Sequence, residues 1–311
     1  MSDPSSPPPN PAGGESAGTS PAPDLDLEQL VRLFTIPIEP AKALIKVLMD
    51  TFFHIEVTGT ESIPLTGGGI IISNHTDYID VPVQGVNCPR KCIYVGKQEL
   101  FEPEKDLKKF LFQEGSPLNL PPFFVAKALL ERALEVYGAA TRIQLMEFGG
   151  QPIKRSFKGD KSGENGENPG KAASARDAVQ YYKDLEDHMV EMLKAGEFIS
   201  IYPEGTRTET GVIGPFKAMA AKLAIRAGVP IVPSGISGAW KFLTLESFLS
   251  GRMFKTHIQY NIGQPIMPEE FPEGDEKRAA KELTARLERD VYALIEHPER
   301  RNNPRSRARV L

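Results

Sequence analysis

The chain has 311 residues, of which 40% are hydrophobic and 25% are charged, and these proportions are typical of a globular protein with a sizeable core. Its formal net charge of -4 argues against binding nucleic acid through overall positive charge, because neutralising phosphates requires a clustered basic surface. The sequence shows neither a signal-peptide pattern nor an apolar run of the roughly 18 residues that cross a bilayer. We therefore expect a soluble or peripherally attached protein.

The two cysteines give no metal-binding pattern. Cys88 and Cys92 are separated by three residues, and the further Cys or His ligands that a structural zinc site needs do not accompany them. We predict that both are reduced, mostly buried thiols, as is usual in a cytosolic protein.

The two ends of the chain differ in composition from its middle. Residues 1–24 are rich in Ser, Pro, Gly and Ala and predict a disordered tail. Residues 25–54 carry apolar residues at helical spacing on both sides of Pro37 and Pro40, which predicts two short helices. This helical pair either packs on the core or lies as an amphipathic anchor in a membrane interface. Residues 298–311 predict a basic tail, either solvated or held near an anionic leaflet.

Residues 55–297 are predicted to form one domain in which strands alternate with helices. In chain order, the apolar patterns predict strands at 70–73 and 93–95, helices at 123–141 and 172–195, a strand at 198–202, a helix at 217–227, strands at 231–234 and 256–262, and a helix at 275–297. This alternation indicates an α/β fold with a largely parallel central sheet flanked by helices. In such sheets, sites form where strands end and loops begin.

The first candidate site follows the strand at 70–73, in the stretch IIISNHTDYIDVPVQ. His75 and Asp80 are five residues apart, and a turn between them would let the carboxylate hold one ring nitrogen while the other acts as a base. The alternative is that Asn74 or Asp77 caps a helix and that His75 has no chemical role.

The second candidate site follows the strand at 198–202, in the stretch IYPEGTRTETG. Residues 204–207 place a glycine next to an arginine, a pairing that suits a phosphate because backbone N–H groups and a guanidinium both donate to it. Lys217 would add positive charge. The alternative is a solvated turn with a surface ion pair.

Two further stretches lie at glycine turns: GGQPIKR at 149–155 and VPIVPSGISGAW at 229–240. Together, the four stretches resemble the glycerolipid acyltransferase family, which includes lysophosphatidic acid and glycerol-3-phosphate acyltransferases. The four blocks of that family are N-H-x4-D, a glycine turn leading to Arg, F/Y-P-E-G-T-R and V-P-x-x-P, and they match residues 74–80, 150–155, 202–207 and 229–233.

The resemblance implies a role for each matching residue. His75 would be the general base and Asp80 would orient it and stabilise the imidazolium. The acceptor phosphate would be bound by Arg155, Glu204, Gly205, Thr206 and Arg207, and Pro233 would shape the acyl-donor side. No metal and no cofactor is implied. Asp77 stands where many members of the family have Ser.

The implied reaction transfers a fatty acyl group from acyl-CoA or acyl carrier protein to lysophosphatidic acid, which makes phosphatidic acid in phospholipid biosynthesis. Glycerol 3-phosphate or another lysophospholipid is the alternative acceptor. The implied location is cytoplasmic, peripheral on the inner face of the cell membrane.

Two other classes of protein compete with this interpretation. An α/β serine hydrolase would use Ser237 on a nucleophile elbow, followed by Asp290 and His297, although Ala239 replaces the second elbow glycine. A non-catalytic lipid-surface protein would use Arg155 and Arg207 to hold anionic headgroups.

Overall fold

The structure is a computed structural model that describes residues 31–32, 35–113, 115–120, 123–153 and 169–295. These residues contain seven strands that form one sheet. The strands are β1 (His54–Thr58), β2 (Gly69–Ser73), β3 (Ile93–Lys97), β4 (Gly150–Ile153), β5 (Phe198–Ile201), β6 (Ile231–Ser237) and β7 (His257–Ile262).

The sheet is mostly parallel. Its strand order is β1-β7-β6-β2-β5-β3-β4, in which β7 is antiparallel to β6 and every other neighbouring pair is parallel. The carboxyl ends of β2, β5 and β6 therefore meet at one edge of the sheet. We call this the carboxyl edge, and β1 and β7 both begin there because they run in the opposite direction.

Helices cover both faces of the sheet. They are α1 (Ile38–Phe52), α2 (Asp80–Asn87), α3 (Pro103–Leu111), α4 (Phe124–Glu147), α5 (Pro169–Lys194), α6 (Met219–Ala227), α7 (Leu245–Leu249) and α8 (Glu276–Ala293). All five residues of β2 are buried, as expected of a central parallel strand whose two faces are both covered. Ile70 and Ile72 pack with α5, α6 and α8, whereas Ile71 packs with α1 and α2.

The predicted α/β class and the largely parallel sheet are confirmed. The helical pair predicted for residues 25–54 ends earlier in the structure. α1 stops at Phe52, and His54 already lies in β1, where it pairs with His257 of β7. The glycine turn and short extended run at 149–155 contain β4, an edge strand that was not among the predicted strands. It includes Pro152, a residue that sheets tolerate at an edge. The predicted tails at 1–24 and 298–311 lie outside the described residues.

Candidate active site

The loop from β2 to α2 places His75 and Asp80 in contact. His75 Nδ1 lies 2.9 Å from Asp80 Oδ2, and the aspartate is fully buried at the first residue of α2. The same Oδ2 accepts hydrogen bonds from the backbone N–H groups of Thr76 at 2.5 Å and Asp77 at 2.8 Å. One carboxylate oxygen of Asp80 therefore bonds both the His75 ring and the backbone of the loop that carries it.

The dyad leaves one imidazole nitrogen for a substrate. With Nδ1–H donated to Asp80, the neutral ring carries its lone pair on Nε2. The His75 ring stacks on Tyr202, with centroids 4.2 Å apart, and its side chain retains 17% exposure. The ring is therefore fixed by two contacts and still reachable from solvent.

Asn74 has a structural role and does not cap a helix. Its fully buried side-chain amide pairs with the backbone of Ile236 in β6, donating to the carbonyl at 2.9 Å and accepting from the N–H at 2.7 Å. This pairing fixes the end of β2 against β6 at the point where the chain leaves the sheet. It therefore helps to hold the adjacent His75 in place.

Glu204 connects the two candidate sites. Its Oε1 accepts the backbone N–H of His75 at 2.8 Å, and its Oε2 accepts the backbone N–H of Gly214 at 2.6 Å. The side chain is buried. Thr208 N also donates to the carbonyl of His75 at 2.9 Å. The loop after β5 is thus bonded to the backbone N–H and to the carbonyl of His75.

We expect Glu204→Ala to lower the free energy of unfolding by about 2–4 kcal/mol, because it leaves two backbone N–H groups without their charged acceptor. Denaturant unfolding measures this change. The matched control is Glu209→Ala, which removes an exposed glutamate from the same loop and should change stability by less than about 0.5 kcal/mol. Equal effects of the two substitutions would contradict a bridging role for Glu204.

Arg207 is oriented by Tyr78, a residue of the loop between β2 and α2. Its guanidinium carbon lies 3.5 Å from the centroid of the Tyr78 ring, and its Nη2 donates to the Tyr78 hydroxyl at 2.8 Å. Tyr78 belongs to the same loop as His75. The fold therefore brings a cation to the loop that carries His75, although Arg207 is 129 residues from Tyr78 in the sequence.

The turn at Gly205 has room for a second cation. Gly205 has φ +73°, a left-handed conformation that glycine adopts without strain, and a Cβ there would lie 2.5 Å from Lys217 Nζ. The ammonium of Lys217 thus sits against the glycine backbone, next to the segment that carries Arg207. The charge that the sequence suggested for Lys217 is present at this turn.

A neutral tyrosine backs the dyad. Burial raises the pKa of Tyr202 well above its usual range, and the nearby negative charge of Asp80 adds to the increase. The Tyr202 hydroxyl therefore stays protonated and donates to Gln84 Oε1 at 3.2 Å. Nothing in the local sequence indicated this contact, because Gln84 and Tyr202 are 118 residues apart.

The remaining predicted site residues differ in position. Thr206 is exposed in the turn between Gly205 and Arg207. Pro233 is buried inside β6, opposite Ile72 of β2. Arg155 lies outside the described residues.

The nucleophile elbow that a serine hydrolase needs is not formed. Ser237 is buried within β6 and pairs with Gln259 of β7, whereas an elbow serine sits on a turn between a strand and a helix. Asp290 lies on α8 and faces Arg286, with 3.7 Å between Oδ2 and Nε. His297 lies outside the described residues.

The cysteines are buried and free, as predicted. Their sulfur atoms are 3.0 Å apart, and the hydrogen bond from Cys92 lowers the pKa of the Cys88 thiol to about 7. Within the described ranges, no group of three or more His, Cys, Asp and Glu residues is arranged to hold a metal ion. None of the helices in that part of the chain has the length and apolarity needed to span a bilayer.

A family model described as Acyltransferase matches residues 54–237, more than half of the chain and all of the site described above. The chain belongs to the acyltransferase family.

Relatives with assigned names share parts of the sequence. The chain is 23% identical over 251 residues to the 1-acyl-sn-glycerol-3-phosphate acyltransferase of Bacillus subtilis, covering 80% of this chain and 92% of that protein. It is 41% identical over 83 residues to the chloroplastic 1-acyl-sn-glycerol-3-phosphate acyltransferase BAT2 of Brassica napus, covering 27% of this chain and 24% of that protein. The crystal structure of the acyltransferase PlsC from Thermotoga maritima aligns with a TM-score of 0.48 and 18% identity, covering 86% of this chain and 83% of that one.

Proposed function

We propose that the protein transfers a fatty acyl group from an acyl thioester to the free hydroxyl of lysophosphatidic acid. The observation that carries this proposal is the contact between His75 and Asp80 in the same loop whose Tyr78 holds the cation Arg207. This arrangement offers a base for a hydroxyl and an anchor for a phosphate on the same molecule. The acceptor is the one named for the relatives from Bacillus subtilis and Brassica napus.

The proposed reaction is one direct transfer without a covalent enzyme intermediate. His75 Nε2 takes the proton from the acceptor hydroxyl as its oxygen attacks the thioester carbonyl, and Asp80 stabilises the imidazolium. The attack gives a tetrahedral intermediate between the two substrates. When this intermediate collapses, the C–S bond breaks and the imidazolium returns the proton to the leaving thiolate. The thioester supplies the free energy, so the step as written uses neither ATP nor a metal ion. Acyl-CoA and acyl carrier protein both contain the required thioester.

The acceptor phosphate would be held at the turn after β5. Arg207 offers a planar fork of N–H donors, Lys217 a second positive charge, and Gly205 and Thr206 a close backbone. Glu204 repels a phosphate, and we propose that it contributes by fixing this turn through its two backbone hydrogen bonds. Arg155 would add a further cation, and Pro233 would border the acyl-donor side.

We further propose that α1 contacts the membrane in which the acceptor is dissolved. Four large apolar residues on one side of α1 are exposed: Leu44, Val47, Leu48 and Phe52. Their spacing is that of an amphipathic interfacial helix, and Met49, about one turn before Phe52, is buried in the core. This arrangement supports the anchoring role proposed for residues 25–54 and a peripheral attachment to the membrane surface.

The direct test is to incubate the purified protein with a radiolabelled acyl-CoA and one acceptor at a time. The acceptors are lysophosphatidic acid, glycerol 3-phosphate and lysophosphatidylcholine. We expect transfer to lysophosphatidic acid. Exclusive transfer to glycerol 3-phosphate would reassign the acceptor, and transfer to none of the three with either CoA or carrier-protein donors would contradict the proposed function.

We expect Arg207→Ala to raise the KM for lysophosphatidic acid by about 10- to 100-fold, since a charge-assisted phosphate contact is lost. The KM of Arg207→Lys should lie between those of the wild type and Arg207→Ala, because lysine keeps the charge but loses the fork of N–H donors and the stacking on Tyr78. Steady-state kinetics with varied acceptor measure both. Monoacylglycerol, which lacks the phosphate, is the control acceptor: a similar loss with it would contradict phosphate binding by Arg207.

A further inference from the structure

The segment after β6 exposes an unusual number of large apolar side chains. This post-β6 segment comprises residues 241–255 and contains α7. Its five exposed apolar residues are Leu243 at 43%, Leu245 at 73%, Phe248 at 56%, Leu249 at 74% and Phe254 at 40%. Single exposed apolar residues are common, but a contiguous patch of this kind marks an interaction surface.

The post-β6 segment is anchored in the core at both ends. Phe242 and Met253 are buried and belong to the same core cluster as β2 and β6. Between them, Thr244 caps α7 by accepting the backbone N–H of Ser247 at 3.1 Å. The apolar side chains are therefore presented to the outside by a defined element of structure.

The position of the segment relates it to the active site. It connects the end of β6 with the start of β7, and both lie at the carboxyl edge, where β2 delivers His75. A Cβ at Gly211 would lie 2.8 Å from the ring of Trp240, so the loop that carries Arg207 packs against the chain just before the segment.

The apolar surface of the segment continues into α1. The ring of Phe53, directly after α1, lies 5.0 Å from Phe242 and 6.4 Å from Phe254, and Phe254 lies 6.2 Å from Phe248. Two exposed residues of the segment, Phe248 and Phe254, thus belong to a group of aromatic rings that reaches the end of α1.

The charge of the segment favours an anionic partner. Lys241, Arg252 and Lys255 oppose the single acid Glu246, which gives a local net charge of +2 in a chain whose formal net charge is -4. Basic residues that border an inserted apolar patch are attracted to anionic lipid headgroups. A soluble apolar partner would not require this excess of positive charge.

We propose that the post-β6 segment inserts Leu245, Phe248 and Leu249 into an anionic phospholipid bilayer. It would form a second membrane contact beside α1 and hold the carboxyl edge against the lipid surface. The inference rests on the proposed function, because the acyl chain of lysophosphatidic acid lies in a bilayer and its free hydroxyl must reach His75 from there.

The test compares vesicle binding by the full chain and by the double variant Leu245→Ser/Leu249→Ser. Vesicles of equal parts phosphatidylcholine and phosphatidylglycerol are the main probe, and phosphatidylcholine alone is the second. We expect the variant to partition into the anionic vesicles at least about tenfold more weakly, since two largely exposed leucines lose their apolar transfer. Wild-type binding should be weaker to phosphatidylcholine alone and should fall with added salt.

The matched control is Leu65→Ser. Leu65 is 68% exposed but lies four residues before β2, at the amino-terminal end of that strand. It is therefore at the edge of the sheet opposite the carboxyl edge. Its vesicle binding should equal that of the wild type. Unchanged binding by the double variant, or an equal loss in the control, would overturn the proposal.

Two other measurements separate the alternatives. If the double variant abolishes a dimer seen by light scattering without changing vesicle binding, the patch is an interface between copies of this chain and the proposal fails. If its melting temperature falls by several degrees, the leucines are packed against another part of the chain, and the proposal also fails.

A detergent assay separates this inference from the proposed function. With lysophosphatidic acid supplied in detergent micelles, the double variant should transfer acyl groups as fast as the wild type, although it is slower with vesicles. Failure of the wild type in detergent would refute the proposed function, whereas full vesicle binding by the variant would refute only the membrane contact.

Discussion

We expect His75→Ala to reduce acyl transfer by about 10²- to 10⁴-fold, because no other group would take the proton from the acceptor hydroxyl. The KM for lysophosphatidic acid should change little, since Arg207 and the turn after β5 remain. Initial rates with saturating acyl-CoA measure the loss. Circular dichroism should show an unchanged fold, because the His75 backbone, which bonds to Glu204 and Thr208, is retained.

Two matched controls make this prediction specific. His257→Ala removes another histidine that faces a carboxylate. Its Nε2 lies 3.4 Å from Glu56 Oε2, but both side chains of this pair are exposed. Ser237→Ala removes the nucleophile that a serine hydrolase would need. Both variants should keep wild-type transfer rates. A large loss in Ser237→Ala together with an active His75→Ala would contradict the proposed mechanism.

Asp80→Ala should impair both folding and catalysis, because one buried carboxylate serves the imidazole and the start of α2. Its removal strands the backbone N–H groups of Thr76 and Asp77 in the interior, and we expect a loss of about 3–5 kcal/mol in the free energy of unfolding. Transfer should fall by at least about 10²-fold, since His75 loses the group that orients it. Denaturant unfolding and initial rates measure the two effects.

Asp80→Asn separates the charge of the carboxylate from its hydrogen bonds. The amide oxygen can still accept from Thr76 and Asp77, so stability should be closer to that of the wild type, whereas transfer should remain low because an amide stabilises the imidazolium poorly. Asp50→Ala is the control for a carboxylate that is exposed and paired with Lys46 at 3.0 Å, and it should cost less than about 1 kcal/mol. An active Asp80→Asn would show that the charge is not required.

The α/β class and the strands near the active site were predictable from local sequence. The run at 70–72 is continuously apolar because β2 is covered on both faces, and such runs give a strong signal. The edge strands give a weaker sequence signal. β1 has a half-exposed pattern, and β4 has four residues including a proline. Their pairing with β7 and β3 comes from contacts across the sheet, which no local pattern contains.

The dyad and the nearby glycine turn could be predicted from local residues. His75 and Asp80 are joined by one short loop, so their spacing limits how they can meet, and Gly205 has the residue type that its left-handed conformation favours. How distant groups combine follows only from the folded chain. Glu204 bonds to the backbone of His75, Arg207 stacks on Tyr78, and the post-β6 segment exposes its leucines. These contacts join residues more than a hundred positions apart or depend on which face stays uncovered, and both are set by packing of the whole chain.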